Sequence, residues 1–213
     1  MAKEKAKIAV IILNWNQTDL TLACLKSVFQ SRTDGQIEIE AIVVDNGSTD
    51  DSKKRLKEIQ EKRNLSRQGR GEIRISRNKF PNFKVIFNKE NLGFAGGNNV
   101  GILYALKNKA DFIFILNNDT EIKNDCVLNL WKTFLEEEKI GLVSPKIYYA
   151  PGFEFHKKRY QKKDLGRVIW YAGGKIDWDN VLGRHLGVDE VDQGRYEKRE
   201  ENEFATGCAF MAK

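Results

Sequence analysis

Cysteine is scarce in this chain of 213 residues, where Cys24, Cys126 and Cys208 lie far apart and form no C-x-x-C pair. An odd, sparse count excludes a disulfide framework and a zinc ribbon and fits a reducing compartment. All three thiols are expected to pack as small buried hydrophobes. With only 3 prolines and 17 glycines, the chain is neither fibrous nor of low complexity. Long apolar runs are missing too: the longest, Ile8 to Leu13, falls far short of the roughly 20 residues that a membrane-spanning helix needs. The opening Met1-Ala-Lys-Glu-Lys-Ala-Lys lacks the apolar stretch and cleavage site of a signal peptide, so a cytoplasmic location is expected. His156 and His185 lie near no G-x-S-x-G elbow or H-E-x-x-H pair, which removes the commonest hydrolase constellations. There is no G-x-x-x-x-G-K-[ST], and no G-x-G-x-x-G follows the first apolar run, which argues against P-loop NTPases and dinucleotide dehydrogenases.

What is present is enough apolar material for a core, at 41% hydrophobic and 10% aromatic residues, in a chain sized for one domain with at most a small appendage. Lys and Arg number 36 against 30 Asp and Glu, a net charge of +6. The excess is concentrated between Lys53 and Lys84 and again at Lys157, Lys158, Arg159, Lys162 and Lys163. Such clusters attract phosphate, anionic lipid headgroups or nucleic acid through long-range fields. The modest net charge, and the absence of aromatics interleaved with the first cluster, favour solvated faces and argue against a nucleic-acid partner.

The apolar pattern alternates strand and helix. Ile8 to Leu13, Ile39 to Val44, Val85 to Phe87 and Phe112 to Leu116 are short β-branched or aromatic runs, the signature of strands buried on both faces of a parallel sheet. Between them, Thr18 to Gln30, the stretch after Asp50-Asp-Ser, and Phe94 to Lys107 read as helices, the first with Thr18 or Asp19 as N-cap. This alternation predicts an α/β fold with a mostly parallel, doubly wound sheet and right-handed crossovers. A further helix is expected over Asp125 to Glu138 and a strand within Ile140 to Tyr149, followed by a charged loop from Pro151 to Lys163. The residues from Trp170 to Val191 are expected to form short strands or loops, and an inserted loop occupies Asn64 to Asn82.

In an open parallel sheet, ligands bind outside the carboxyl ends of the strands. Each predicted strand there runs into a polar cluster: Asn14-Trp-Asn16, Asp45 to Asp50, Asn88 to Asn99, and Asn117-Asn-Asp-Thr120. Asp119, three residues past an apolar run, is placed to share a divalent cation with a ligand's phosphates, or else belongs to an ordinary Asn/Asp turn. Asp45 suits either a base or ribose or an Asx-turn, and Trp15 either a stacked base or the core. Asn91-Leu-Gly-Phe-Ala-Gly-Gly-Asn-Asn99 puts small residues at a helix start, where backbone N–H groups favour an anion and glycines permit close approach.

Taken in order, Ile11-Ile-Leu-Asn-Trp-Asn, Val43-Val-Asp-Asn-Gly-Ser-Thr-Asp, Asn91-Leu-Gly-Phe-Ala-Gly-Gly-Asn-Asn-Val-Gly-Ile and Leu116-Asn-Asn-Asp-Thr resemble the family 2 glycosyltransferases of the GT-A fold, especially the rhamnosyltransferase-like branch. Ile169-Trp-Tyr-Ala-Gly-Gly-Lys-Ile-Asp and Phe204-Ala-Thr-Gly-Cys-Ala-Phe-Met resemble that branch's acceptor-side segments. The resemblance implies a GT-A-type, Rossmann-like sheet flanked by helices, with a donor-binding half over 1–145 and the start of an acceptor-side half over 146–213. It implies transfer of a sugar, with inversion, from a UDP- or dTDP-sugar to a polysaccharide or lipid-linked acceptor, with a divalent Mg²⁺ or Mn²⁺ as cofactor. Leu13, Trp15, Asp45, Gly96, Asn98 and Asn118 are the implied donor-binding residues and Asp119 the implied metal ligand. Many relatives carry Arg where Asn98 stands, which leaves the diphosphate one positive partner fewer. The family's catalytic carboxylate falls after the Gly-Cys-x-x-Met-like stretch, and this sequence stops at Lys213, so the chain is expected to be C-terminally truncated, with its general base outside it. A nucleotide-sugar-binding module without turnover is the alternative. A nucleotidyltransferase is disfavoured because Asn14-Trp-Asn-Gln-Thr stands where a basic Gly-rich loop would be. Peripheral contact with the inner face of a membrane, through the basic residues Arg67, Arg70 and Arg74, completes the expectations.

Overall fold

The computed structural model describes residues 4–67 and 83–213, so Arg70 and Arg74 of the basic insert lie outside the described residues. Two compact units are present, Met1–Gly141 with Met211–Lys213, and Leu142–Phe210.

The first unit runs β1 (Ala6–Asn14), α1 (Thr18–Phe29), β2 (Ile37–Asp45), α2 (Ser52–Arg67), β3 (Phe83–Phe87), α3 (Gly93–Lys107), β4 (Phe112–Asn117) and α4 (Cys126–Phe134). Its strands lie in the order β3-β2-β1-β4, all parallel. Ile8 to Ile12 and Ala41 to Val44 are completely or almost completely buried, as continuous apolar strands covered on both faces must be. Helix α3 lies close against this sheet because Gly97 and Gly101, one turn apart, present no side chain to it. A Cβ at Gly101 would stand 2.6 Å from Ile11 Cγ2, and one at Gly97 would collide with Leu13 Cδ1. Gly97 therefore admits the sheet, where the sequence suggested that the glycines of 91–99 admit a ligand.

Several element ends depart from the sequence reading. Strands β1, β2 and β4 take in Asn14, Asp45 and Asn117, because the parallel ladders continue to pair Asn14 with Asp45 and Leu13 with Asn117. Neither Thr18 nor Asp19 caps α1: Gln17 is the N-cap and makes no capping bond, while Thr18 is already helical and its hydroxyl is buried without a partner. Helix α4 stops at Phe134, short of the predicted Glu138. Glu136, Glu137 and Glu138 would have stacked negative charge on the negative end of the helix dipole. Of the cysteines Cys24 is fully buried and Cys126 and Cys208 are partly buried, Cys126 enough for burial to push its thiol up to about 12.

The strand expected over Ile140 to Tyr149 is two short strands, β5 (Leu142–Val143) and β6 (Ile147–Tyr148). Pro145 between them has no N–H to give a ladder. Within the second unit β6 pairs antiparallel with β7 (Ile169–Tyr171), and β8 (Gly174–Asp177) forms a hairpin with β9 (Leu182–His185). The chain's last strand, β10 (Ala209–Ala212), lies beyond β4 in the large sheet, and its end from Met211 belongs to the first unit.

One charged cluster holds the second unit together. Lys146 Nζ donates to Asp192 Oδ2 at 2.6 Å and to Glu197 Oε1 at 2.8 Å, and the Tyr148 hydroxyl also donates to Asp192. Burial by itself would raise the Asp192 pKa, but Lys146, Tyr148 and the Gly194 N–H outweigh it and hold the carboxyl at about 2. A folded-state pKa below the ordinary 3.8 contributes stability that is complete above that value and lost as pH falls through about 2. Asp192→Asn is thus expected to lower the urea midpoint at neutral pH, with the gap to the parent chain narrowing only once the pH drops below 4 or so. A pH series of urea melts checks it; a gap constant down to the lowest pH would contradict the assignment.

Candidate functional site

The parallel register carries the polar clusters to one edge. Asn14 lies beside Asp45, Asp45 beside Phe87, and Leu13 beside Asn117, so the carboxyl ends of four adjacent strands meet there.

Beneath this edge runs a continuous chain of hydrogen bonds. Asn118 Nδ2 donates to Thr21 Oγ1 at 3.2 Å, and Thr21 Oγ1 donates to Asn14 Oδ1 at 2.7 Å. Asn14 Nδ2 donates to Asp45 Oδ1 at 2.9 Å, which also accepts from Ser48 Oγ at 2.5 Å. Thr21, Asn14 and Asp45 are fully buried. A buried polar chain with every member partnered fixes geometry, because an orphaned member would cost its full desolvation. It ties the tips of β1, β2 and β4 to α1. Asp45, expected to reach a base or ribose, thus has Oδ1 committed to protein donors, and among the described residues its Oδ2 accepts from the Ser48 N–H alone, at 3.4 Å.

Asn46 forms a second hub. Its Nδ2 donates to Asn91 Oδ1 at 2.8 Å and to the Gly93 carbonyl at 3.1 Å, while its Oδ1 accepts from Asn88 Nδ2 and the Leu92 N–H. One buried side chain thereby fastens the loop after β3 to the tip of β2 and sets the start of α3. Gly47 follows in the left-handed region at φ +73, and a Cβ there would stand 2.5 Å from the backbone carbon of Glu90. No side chain fits between the two loops.

Other expected site residues are placed differently. Asn98 lies buried inside α3, its Nδ2 donating to the Phe94 carbonyl at 2.9 Å, so its amide hydrogens serve its own helix. Gly96 is half-exposed in the first turn of α3, where a Cβ would meet its neighbour Leu92 at 2.9 Å. Leu13 is half-buried against Gly97. Trp15, directly after β1, is 51% exposed and available for stacking. Asp119, two residues past β4, is exposed, and no hydrogen bond or ion pair among the described residues engages its carboxylate. The sequence reading named the clusters but missed Thr21, Asn46, Ser48 and Asn91 as their fastenings; the density of Asn at the strand ends was the available signal.

The arrangement offers an exposed indole and an unengaged carboxylate on a rigid polar floor. The first turn of α3 adds uncapped N–H groups on Phe94 and Ala95, which a helix leaves without intrahelical acceptors. No group of three or more His, Cys, Asp or Glu side chains that could hold a metal exists among the described residues. A lone carboxylate is not a metal cage, yet it fits a Mg²⁺-like ion whose remaining ligands are phosphate oxygens and water.

A family described as glycosyl transferase family 2 matches residues 9–192, which contain every residue of this edge. The chain belongs to that family. No protein of curated function matches it. Among solved structures, this family 2 chain is similar to the mannosyltransferase PcManGT from Pyrobaculum calidifontis, in complex with GDP-Man and Mn²⁺, at 17% identity and a TM-score of 0.51. That match covers 69% of this chain and 37% of the mannosyltransferase. It is also similar to S. aureus TarS 1-349 in complex with UDP-GlcNAc, at 20% identity and a TM-score of 0.46, covering 68% of this chain and 34% of that one. The chain therefore spans about a third of the length of the solved structures it matches. The mannosyltransferase shares the fold, a mostly parallel α/β sheet of the GT-A kind.

Proposed function

We propose that this chain supplies the nucleotide-sugar-binding half of an inverting family 2 glycosyltransferase. The observation that carries the reading is the convergence of Trp15, Asn118 and Asp119 on one sheet edge floored by the Asp45 network, within a chain of that family. The donor is a UDP- or dTDP-sugar and the acceptor a polysaccharide or lipid-linked glycan, as in the rhamnosyltransferase-like branch that the motifs resemble. Such an enzyme works at the cytoplasmic face of a membrane.

Trp15 stacks on the base, an interaction that every nucleobase permits. Asp45, fully buried, acts through Asn14 and Ser48, fixing the paired tips of β1 and β2 that floor the site. Asn118, anchored on Thr21, faces the ribose or diphosphate. The N–H groups at the start of α3 suit the anionic diphosphate. Asp119 would hold a Mg²⁺ or Mn²⁺, and such an ion, when bound, stabilises the charge on a departing nucleoside diphosphate. Inversion requires a base on the face opposite the leaving group, and no residue of this chain is assigned to that role.

The test is calorimetric titration with UDP-, dTDP- and GDP-sugars, in Mn²⁺ and in EDTA. One nucleotide series is expected to bind with Mn²⁺, quenching tryptophan fluorescence as the base stacks, and to bind much more weakly in EDTA. Binding of no nucleotide sugar, or equal binding of all with and without metal, would sink the proposal.

A further inference from the structure

In the second unit, the loop over 151–166 inverts the usual placement of side chains. Glu154 is buried to 1% exposure, while its neighbours Phe153 and Phe155 are each 75% exposed. The inversion has a local cause. Glu154 Oε2 accepts from the Gly152 N–H at 2.8 Å and Oε1 from the Gly166 N–H at 2.9 Å, so the carboxylate fastens the two ends of the loop together. Gly166 adopts φ +74 against Pro151, which closes the same neck. With the acid between them turned inward, the two phenyl rings point outward from a loop that is held rather than loose.

Two short 3₁₀ turns follow, Lys157–Arg159 and Lys162–Asp164. Lys158, Arg159, Lys162 and Lys163 are exposed, and no ion pair among the described residues neutralises them. The second acid of the loop, Asp164, is also turned onto backbone, accepting from the Gln161 N–H at 2.9 Å. Both acids are thus removed from the surface that carries the cations. What remains outside is two large apolar rings beside a concentrated positive charge.

That composition separates the available partners. The buried centre of a protein–protein interface is depleted of lysine. An interfacial membrane segment, by contrast, combines aromatic side chains that enter the headgroup boundary with Lys and Arg that pair with anionic lipids. No helix among the described residues is long and apolar enough to cross a bilayer, so a contact of this kind is peripheral. We propose that the loop from Phe153 to Lys163 docks on an anionic lipid bilayer. Phe153 and Phe155 enter the headgroup region, and Lys158, Arg159, Lys162 and Lys163 pair with lipid phosphates and carboxylates. This docking is independent of sugar transfer and is measured without donor or metal.

Co-sedimentation of the full chain with phosphatidylcholine vesicles, with and without phosphatidylserine, tests it. Binding is expected to the phosphatidylserine vesicles alone and to weaken as salt rises. Each of Lys158→Gln, Arg159→Gln, Lys162→Gln and Lys163→Gln is expected to lower the partition coefficient roughly fivefold. Phe153→Ser with Phe155→Ser is expected to lower it by more than about tenfold, with circular dichroism unchanged because both rings are already exposed. Equal binding to neutral and anionic vesicles overturns the proposal, as does binding that survives both sets of substitutions. Capture of an oligonucleotide or an acidic peptide through these residues, without vesicle binding, also overturns it.

Discussion

Asp119→Ala is expected to remove the Mn²⁺-dependent part of nucleotide-sugar affinity, a loss on the order of 100-fold or more, because its carboxylate is the proposed protein ligand of the ion. The same substitution is expected to leave stability within about 0.5 kcal/mol of the parent, since the side chain is exposed and unengaged. Asp45→Ala should behave in the opposite way. It removes the buried carboxylate that accepts from both Asn14 Nδ2 and Ser48 Oγ, leaving those two only their weaker mutual bond at 3.2 Å, and should cost about 1–3 kcal/mol of folding stability. Parallel titrations and thermal melts of the two variants distinguish ligand from floor. If Asp119→Ala binds the sugar nucleotide in Mn²⁺ as tightly as the parent does, Asp119 is no metal ligand.

Gly47→Ala is expected to be the most destabilising single methyl group that can be added to this edge. The residue sits at φ +73, where an L side chain costs roughly 1–2 kcal/mol. The added Cβ would also press on Glu90 backbone atoms at 2.5 to 2.8 Å, and backbone cannot rotate out of the way as a side-chain end can. A combined loss of about 3 kcal/mol or more, and a melting temperature lower by on the order of 10 °C, is expected. Gly35→Ala is the control. Gly35 has a similar φ of +70 but nothing within 4 Å of its Cβ, so only the conformational part of the cost remains. Equal losses in the two variants would show that the contact with Glu90 contributes nothing.

The two glycines show how far a sequence can be read. Asp45-Asn-Gly-Ser announces a turn, and the turn is there, but nothing local distinguishes Gly47, wedged against a loop more than forty residues away, from Gly35 in open space. The same holds for Asn91 to Asn99. Its small residues suggested room for a ligand, whereas Gly97 is small because Leu13 of β1 and Asn46, just past β2, press against it. Asn98 was legible as polar and near the site, yet its amide turns back on its own helix, a choice made by rotamer and burial.

By itself the sequence determined the α/β class, the order of strands and helices along the first unit, and the edge at which the polar strand ends gather. Those features follow from periodicity and from the rule that parallel strands place their carboxyl ends together. Only the tertiary structure decided which polar side chains stay unengaged at that edge and which hold the fold. Asp45 and Asp119 have identical chemistry, and what separates them is that Asn14 and Ser48 enclose one carboxylate while nothing encloses the other. That difference arises from the Asn14 contact across 31 residues of chain, of which spacing carries no record, and from the Ser48 contact three residues on, which the turn signal already allowed.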